Sequence, residues 1–188
     1  DFTVNAIYLD INGKIFDPQL GTIDLKNCNI KFIGDPQKRI EEDYLRIIRF
    51  IRFSLEYMSS VEQTTVEAIK LNLDGIKKIS KERILNELFK ILSTKNFVNL
   101  NNNKELKNIF LLFFPEFKNL ERLTRLETIL NYSNFDKETL LAVLLIDETN
   151  NHEYFSHKYN ISNDLREDLN LMAKNFINFK ANKRFFIK

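Results

Sequence analysis

A carboxylate and three arginines follow one another at every third position of the segment EEDYLRIIRFIRF. They are Asp43, Arg46, Arg49 and Arg52. An ionised carboxylate only accepts hydrogen bonds, whereas a guanidinium only donates them. Side chains three residues apart on a helix are neighbours, so we expect Asp43 and Arg46 to lie side by side. Such a pair can read a ligand edge that offers one donor beside one acceptor.

Nucleobases have edges of this kind. Cytosine and adenine both present an exocyclic amine beside a bare ring nitrogen, whereas guanine and uracil present a carbonyl beside a ring N–H. The Asp–Arg pair would accept C and A and leave polar groups unpaired against G and U, at roughly 1–3 kcal/mol for each group. Arg49 and Arg52 lie further round the helix and could reach phosphates. The ordinary interpretation of an isolated pattern is a weak surface ion pair, from Arg46 to Glu42 or to Asp43.

The composition is that of a globular protein of one or two domains. The chain has 188 residues, 44% hydrophobic and 29% charged, with 17 Phe and no Trp. With 4 Gly and 3 Pro it offers little turn chemistry, which favours helices. A single cysteine, Cys28, excludes an internal disulfide, so we expect a cytoplasmic protein with Cys28 in its core. No apolar run approaches the roughly 18 residues that cross a bilayer.

The net charge of +2 gives no argument for nucleic-acid binding, but the distribution of charge is more suggestive. Bases outnumber acids in residues 70–95, and after Asp168 no acid remains. Basic and aromatic residues then alternate, a mixture that can track phosphates and stack bases or can simply combine a solvated helix face with core rings. These residues are Lys174, Phe176, Phe179, Lys180, Lys183, Arg184, Phe185, Phe186 and Lys188.

The periodicity of the chain changes near residue 35. Before it, residues 6–11 and 14–17 read as strands around the turn signal Asn12-Gly13, and residues 30–34 as a third strand. Three short strands make no stable sheet, so we expect their partners upstream of Asp1. After it, the pattern predicts a mainly α fold. Helices are predicted at 37–57, 61–73, 81–92 (capped by Ser80), 104–113, 116–131, 136–147 and 162–180, with a linker at 101–103.

Four separated motifs carry a resemblance to a known family. They are DFTVNAIYLD, DPQLGTIDL, IGDPQKRIEEDYLRIIRFIRF and ISKERILNELFKIL, and they fall in residues 1–92. In this order and spacing they resemble the later motifs of class II tRNA nucleotidyltransferases (CCA-adding enzymes) and bacterial poly(A) polymerases. The resemblance implies a small β remnant of an α/β nucleotidyltransferase head in 1–34. It also implies a helical neck in 35–98 and a helical body in 99–188.

The resemblance also implies roles for individual residues. Asp1 matches an acid that contacts the ribose of the incoming nucleotide. Asp43 and Arg46 match the protein template that reads C or A, and Arg49 and Arg52 match arginines that bind the rest of the nucleotide. Asn5 lies in the motif of Asp1, where a nucleotide role and a turn or capping role are equal alternatives.

Two further motifs are expected to have structural roles. Gly21 matches a hinge between head and neck, and Asp17 and Asp24 are expected to hydrogen-bond within that loop. Arg83 and Glu87 match a pair that braces the neck helices.

The family's metal carboxylates belong to a strand that we expect upstream of Asp1. The resemblance implies Mg²⁺, bound by residues outside this sequence, with CTP and ATP as substrates and the tRNA 3′ end as partner. The chain alone is expected to be inactive and could pair with a separate head fragment. His152 and His157 have no third ligand in evidence, so no metal site is predicted for them. Two alternatives stay open: a poly(A) polymerase of the same family, and a noncatalytic RNA-binding module.

Overall fold

The computed structural model describes residues 1–129 and 136–182. Helices dominate these residues, and the one sheet among them has two strands, which confirms the predicted mainly α fold with a small β element. The chain divides into two compact units, Asp1–Phe110 and Leu111–Lys188. The predicted boundaries after residues 34 and 98 stay predictions. Within the described ranges, no helix has the length and apolar character that crossing a membrane requires.

The first unit opens with a short β-hairpin. Strand β1 (Tyr8–Leu9) pairs antiparallel with β2 (Ile15–Phe16), and Gly13 supplies the positive φ of the predicted turn. The predicted third strand is wrong, because Phe32 makes only one isolated bridge, to Phe2. The 3₁₀ helix Thr3–Ala6 begins directly after Phe2, so the strand-like pairing with Phe32 extends no further.

Short helices make up the rest of this unit. Asp35 and Ser80 accept hydrogen bonds from the first turns of the helices that follow them, as N-cap residues do, and the predicted start of the helix after Ser80 is confirmed. Besides Thr3–Ala6, the 3₁₀ helices are Leu73–Lys78 and Phe97–Asn102. The α-helices are α1 (Gly21–Lys26), α2 (Pro36–Glu42), α3 (Leu45–Glu56), α4 (Gln63–Leu71) and α5 (Lys81–Leu92), followed by α6 (Lys104–Phe113), whose last three residues belong to the second unit.

An aromatic cluster fixes the beginning of the chain to α3. Phe2 is fully buried, with ring centroids 4.8 Å from Phe32 and 5.4 Å from Phe53. Phe32 in turn stacks on Phe50 at 5.8 Å. Burial of a phenyl ring stabilises a fold by about 1.5–3 kcal/mol, so this cluster is strong enough to hold Asp1 beside α3.

The second unit contains α7 (Arg122–Ile129), α8 (Lys137–Leu145), α9 (Asn151–Tyr159) and α10 (Asn163–Asn182). The prediction of a helix over 116–131 begins too early, and residues 130 and 131 lie outside the described residues. Helix α9 has no counterpart among the predictions. The core of this unit includes the rings of Phe114, Phe117 and Phe155.

Two other predictions concern Cys28 and the basic and aromatic residues after Asp168. Cys28 is exposed, so its predicted burial is wrong; it lies in a left-handed turn that closes α1, with a φ of 53°. The side chains of Phe179 and Lys180, and residues Lys183, Arg184, Phe185, Phe186 and Lys188, lie outside the part of the chain that is described.

Candidate functional site

The predicted helix over residues 37–57 is interrupted at Asp43. Helix α2 ends at Glu42, Asp43 is extended (φ −156°, ψ 105°), and α3 begins after Tyr44. The Asp43 carboxylate accepts a hydrogen bond from the Leu45 N–H at 3.1 Å. An aspartate that bonds the backbone two residues on competes with the helix, which explains the break. The prediction that Asp43 and Arg46 are neighbours on one continuous helix is therefore wrong.

Asp43 is bound instead by a residue from a distant part of the sequence. Its Oδ2 accepts a hydrogen bond from Arg83 Nη2 at 2.8 Å, across a separation of 40 residues. Its Oδ1 accepts from Leu45, and its backbone carbonyl accepts the Arg46 N–H at 3.0 Å. A carboxylate has about four lone-pair positions, so Asp43 can still accept a bond from a ligand amine.

Arg46 lies one turn further along and is held by α2. Its Nη1 donates to the Arg39 carbonyl at 2.6 Å and also bonds to Glu42. Arg39 bonds to Glu42 as well, and the two guanidinium groups hold the pKa of Glu42 below its ordinary value. Among the described residues both bonds of Arg46 leave from Nη1. The rest of the guanidinium can therefore face a ligand.

Arg49 and Asp1 are brought together. Arg49 Nη2 lies 2.7 Å from Asp1 Oδ2, and the Ile33 N–H donates to the Asp1 carbonyl, which fixes the backbone of Asp1. The Nε of Arg49 is buried with no hydrogen-bond partner among the described residues. Burial lowers the pKa of Arg49, although the nearby carboxylate of Glu87 opposes this effect. A buried donor without a partner favours an added acceptor such as a phosphate oxygen.

Arg52 is committed to contacts between helices. Its Nε donates to Glu87 Oε2 at 3.0 Å, and Lys90 Nζ donates to Glu87 Oε1 at 2.7 Å. Burial alone would raise the pKa of Glu87, but the bonds from Lys90 and Arg52 outweigh it and the pKa is lowered. Arg83 and Glu87, predicted as a bracing pair, thus each bond to other residues and not to one another. They join α5 to Asp43 and to α3.

The other predicted residues lie away from these contacts. Asn5 is exposed in the 3₁₀ helix Thr3–Ala6, and its nucleotide role stays a prediction. Gly21 begins α1, and a Cβ there would lie 2.2 Å from the Thr3 carbonyl oxygen. This glycine is needed for close approach of two backbone segments; its role as a hinge stays a prediction.

Asp17 hydrogen-bonds within its loop, as predicted, whereas Asp24 lies in α1 and bonds outside the loop, to Thr3. Asp17 accepts from the backbone of Gly21 and Thr22 and from the Thr22 hydroxyl, whose bond is the main cause of its lowered pKa. Asp24 accepts from the Thr3 hydroxyl at 2.8 Å.

Sequence reasoning missed four residues in and around the site. Arg39 supports Arg46 through its backbone carbonyl, which no side-chain pattern reveals. Lys90, at i+3 from Glu87, could have been found from spacing alone. Tyr44 and its neighbour Gly75 meet only in the folded chain.

The described residues do not form the Mg²⁺ site that the resemblance implies. In residues 1–129 and 136–182 no group of three His, Cys, Asp or Glu side chains is arranged to hold a metal ion. Asp1, Glu42, Asp43 and Glu87, the acids around these arginines, are all paired with guanidinium groups.

Comparisons with known proteins show which family this chain resembles. The family model described as "Probable RNA and SrmB- binding site of polymerase A" matches residues 60–120. The chain is 46% identical over 91 residues to the CCA-adding enzyme of Lactobacillus helveticus, covering 48% of this chain and 23% of that enzyme. It is 33% identical over 178 residues to the CCA-adding enzyme of Staphylococcus haemolyticus, covering 93% of this chain and 42% of that enzyme.

A solved structure shows the same fold. The CCA-adding enzyme of Bacillus stearothermophilus in complex with CTP superposes with a TM-score of 0.68 at 24% identity, covering 95% of this chain and 45% of that one. Together with the ordered motifs, these matches place the chain in the CCA-adding enzyme family of tRNA nucleotidyltransferases. The chain spans less than half the length of each of these relatives.

Proposed function

We propose that this chain supplies nucleotide selection and tRNA binding to an enzyme that adds CMP and AMP to the 3′ end of tRNA. CTP and ATP are the proposed substrates. The observation that carries the proposal is the break between α2 and α3, where Asp43 leaves the helix one turn before Arg46. A carboxylate and a guanidinium that are each held by other residues can present a fixed acceptor and a fixed donor to a base edge.

Selection follows from the hydrogen bonds each base can make. Asp43 accepts a bond from the exocyclic amine of cytosine or adenine, and Arg46 donates to the adjacent ring nitrogen. Guanine and uracil present a carbonyl to the carboxylate and an N–H to the guanidinium, so both contacts fail. Rejection by unpaired polar groups is worth roughly 1–3 kcal/mol for each group.

The remaining arginines have different proposed roles. The orphaned Nε of Arg49 and its position beside Asp1 support a contact with the sugar-phosphate part of the nucleotide. Arg52 is occupied by Glu87, which supports a bracing role over the direct nucleotide contact predicted for it. We retain Arg52 as a weaker candidate for nucleotide binding, through the positive charge it adds.

The proposed tRNA surface lies in the stretch that the family model matches. Lys70 and Lys81 are exposed there, and Lys77 keeps 82% of its side chain exposed while paired with Asp74. Positive side chains of this kind bind phosphates without reading sequence, so binding would weaken as salt rises. The chain is proposed to select the nucleotide and to hold the tRNA. The Mg²⁺ that nucleotidyl transfer needs is proposed to be bound by residues outside the described ones.

Titration calorimetry with CTP, ATP, GTP and UTP tests the proposal. The wild-type chain should bind CTP and ATP at least about tenfold more tightly than GTP and UTP, since one lost hydrogen bond costs about 1.4 kcal/mol or more. Asp43→Ala and Arg46→Ala should both abolish the preference. Arg46→Lys keeps the charge without the planar fork and should restore little of it.

Two exposed residues provide matched controls. Glu153→Ala removes an acid and Lys104→Ala a base, both on exposed positions of other helices, and neither should change the preference. Equal binding of the four nucleotides by the wild type would defeat the template. Retention of tRNA without any nucleotide preference would favour a noncatalytic RNA-binding module.

Sequencing of products separates the two enzymatic possibilities. The enzyme that contains this chain should add C, C and A to a tRNA that lacks its CCA end. Runs of A alone would identify a poly(A) polymerase.

A further inference from the structure

The ring of Tyr44 lies directly over Gly75. Gly75 is buried in the 3₁₀ helix Leu73–Lys78, and an ideal Cβ built on it would be 2.1 Å from both Cδ1 and Cε1 of Tyr44 and 2.5 Å from Cγ. Carbon atoms in contact normally lie about 3.5–4.0 Å apart. Even a methyl group at this position therefore requires the ring or the 3₁₀ helix to move.

The ring cannot easily give way. Its Cγ, the ring atom closest to the backbone, is among the atoms that the methyl group would meet. Lys78 belongs to the same 3₁₀ helix as Gly75, and its Nζ lies 5.3 Å from the centroid of the Tyr44 ring. The Tyr44 carbonyl accepts the Ile47 N–H at 3.2 Å in the first turn of α3, so a shift of Tyr44 disturbs that turn.

Tyr44 follows Asp43 in the sequence and packs on Gly75, whose 3₁₀ helix leads to the helix that carries Arg83. Asp43 is the preceding residue, and its carboxylate and carbonyl bond to the first backbone N–H groups of α3. The 3₁₀ helix of Gly75 leads within a few residues to Ser80, the N-cap of the helix that carries Arg83. The contact between Tyr44 and Gly75 thus joins the two chain segments that lead to the partners of the ion pair Asp43–Arg83.

We propose that Gly75 is a positioning residue for nucleotide selection. Its missing side chain lets Tyr44 pack against the 3₁₀ helix, and this packing fixes the extended conformation of Asp43. The inference rests on the proposed function, because it assigns a support to the same template. Gly75 itself touches no nucleotide.

A double-mutant cycle tests the proposal, with the ratio of dissociation constants for UTP and CTP as the readout. Gly75→Ala should lower this ratio about tenfold in the wild-type background. Tyr44→Ala should lower it as well, and Gly75→Ala should add nothing further once the ring is gone. Tyr44→Phe keeps the ring and should retain the wild-type ratio.

The cycle has clear contrary outcomes. A wild-type ratio in Gly75→Ala, or an equal loss with and without the Tyr44 ring, would overturn the proposal. If Gly75→Ala does not fold, the double variant should fold and Tyr44→Ala should still lose discrimination. A wild-type ratio in Tyr44→Ala would then overturn it.

Hydrogen exchange separates failure of this inference from failure of the proposed function. In Gly75→Ala the amides of Leu45 and Arg46, which bond to Asp43, should exchange about tenfold faster, while that of Leu88 in α5 should not change. Equal nucleotide binding by the wild type would defeat the proposed function and the link of Gly75 to selection, whereas faster exchange at Leu45 and Arg46 in Gly75→Ala would still show that Gly75 supports Asp43. Unchanged exchange at Leu45 and Arg46 in Gly75→Ala would defeat the role of Gly75.

Discussion

The arginines of the two units differ in how much of their donor capacity the fold uses. In the first unit Arg46 bonds to Glu42 and to the Arg39 carbonyl, Arg49 forms an ion pair with Asp1, and both keep part of their donor capacity. In the second unit Arg122 Nη1 donates at 2.6 Å to the carbonyls of both Val143 and Ile146, at the end of α8. The first arrangement can exchange partners with a ligand. The second satisfies orphan carbonyls of a helix terminus and is part of the fold.

The buried acids of the two units also differ in how they are paired. Glu87, 5% exposed, receives bonds from both Arg52 and Lys90 and so joins α3 to α5. Glu116, 3% exposed, pairs with Lys158 through one oxygen, and its other oxygen has no partner among the described residues. We conclude that substitutions in the second unit should change stability, whereas those around Asp43 should change selectivity.

The largest effect is expected for Phe117→Ala. Phe117 is fully buried between Phe114 and Phe155, and truncation of a buried ring costs about 3–5 kcal/mol. Denaturant unfolding measures the loss, and Phe117→Leu should cost clearly less. Nucleotide preference should persist in the folded fraction. A changed preference would break the distinction between the two units.

Arg122→Ala should come next, at about 2 kcal/mol. Two backbone acceptors lose their donor, and each unsatisfied group costs about 1–3 kcal/mol when buried and less where water can reach it. The Arg122→Lys side chain is one bond shorter, so its amine reaches the two carbonyls less well and should recover only part of the loss. Arg46→Ala provides the contrast from the first unit, with at most about 1 kcal/mol. Equal losses for Arg46 and Arg122 would contradict the comparison.

The pH dependence of stability should report Glu87. Its pKa is lower in the folded chain than in the unfolded one, so its stabilisation is present above about pH 4.3, the usual value for Glu, and is lost as the pH falls through the folded pKa. Glu87→Gln should flatten this part of the profile. Chemical unfolding at a series of pH values measures it, and Glu153→Gln is the exposed control. An unchanged slope in Glu87→Gln would contradict the assignment.

The smallest effect on stability is expected for Arg83→Ala. Its side chain is 51% exposed, and pairs of this kind contribute about 0–1 kcal/mol. Discrimination between CTP and UTP should nevertheless fall several-fold, because Asp43 loses one of its supports. Lys81→Ala, exposed on the same helix, should leave the ratio unchanged. A stability loss without loss of discrimination would make Arg83 purely structural.

Local signals in the sequence predicted much of this fold. Ser80 correctly marks the start of α5, and Asn12-Gly13 correctly marks the hairpin turn. Helix α9 escaped prediction because its buried positions include Asn151, His152 and Ser156, which interrupt the apolar pattern. Periodicity finds helices that bury apolar residues and overlooks those that bury polar ones.

The sequence pointed to residues of the candidate site but did not predict their geometry. The spacing of Asp43, Arg46 and Arg49 identified the side chains that lie near the helix break. The break itself was missed, since it depends on the Asp43 bond to Leu45 and on the packing of Tyr44 over Gly75. Helical spacing fits a continuous helix and a broken one equally well, and these contacts decide for the break. Spacing cannot reveal the second contact, because Tyr44 and Gly75 are about 30 residues apart in the sequence.

The ratio of dissociation constants for UTP and CTP tests the central claim most directly. These two nucleotides differ at the Watson–Crick edge in the groups that Asp43 and Arg46 are proposed to read. Wild type should prefer CTP by about tenfold or more, and Asp43→Ala should bring the ratio close to one. A ratio near one in the wild type, or an undiminished preference in Asp43→Ala, would contradict the assignment of Asp43 as the base-selecting carboxylate.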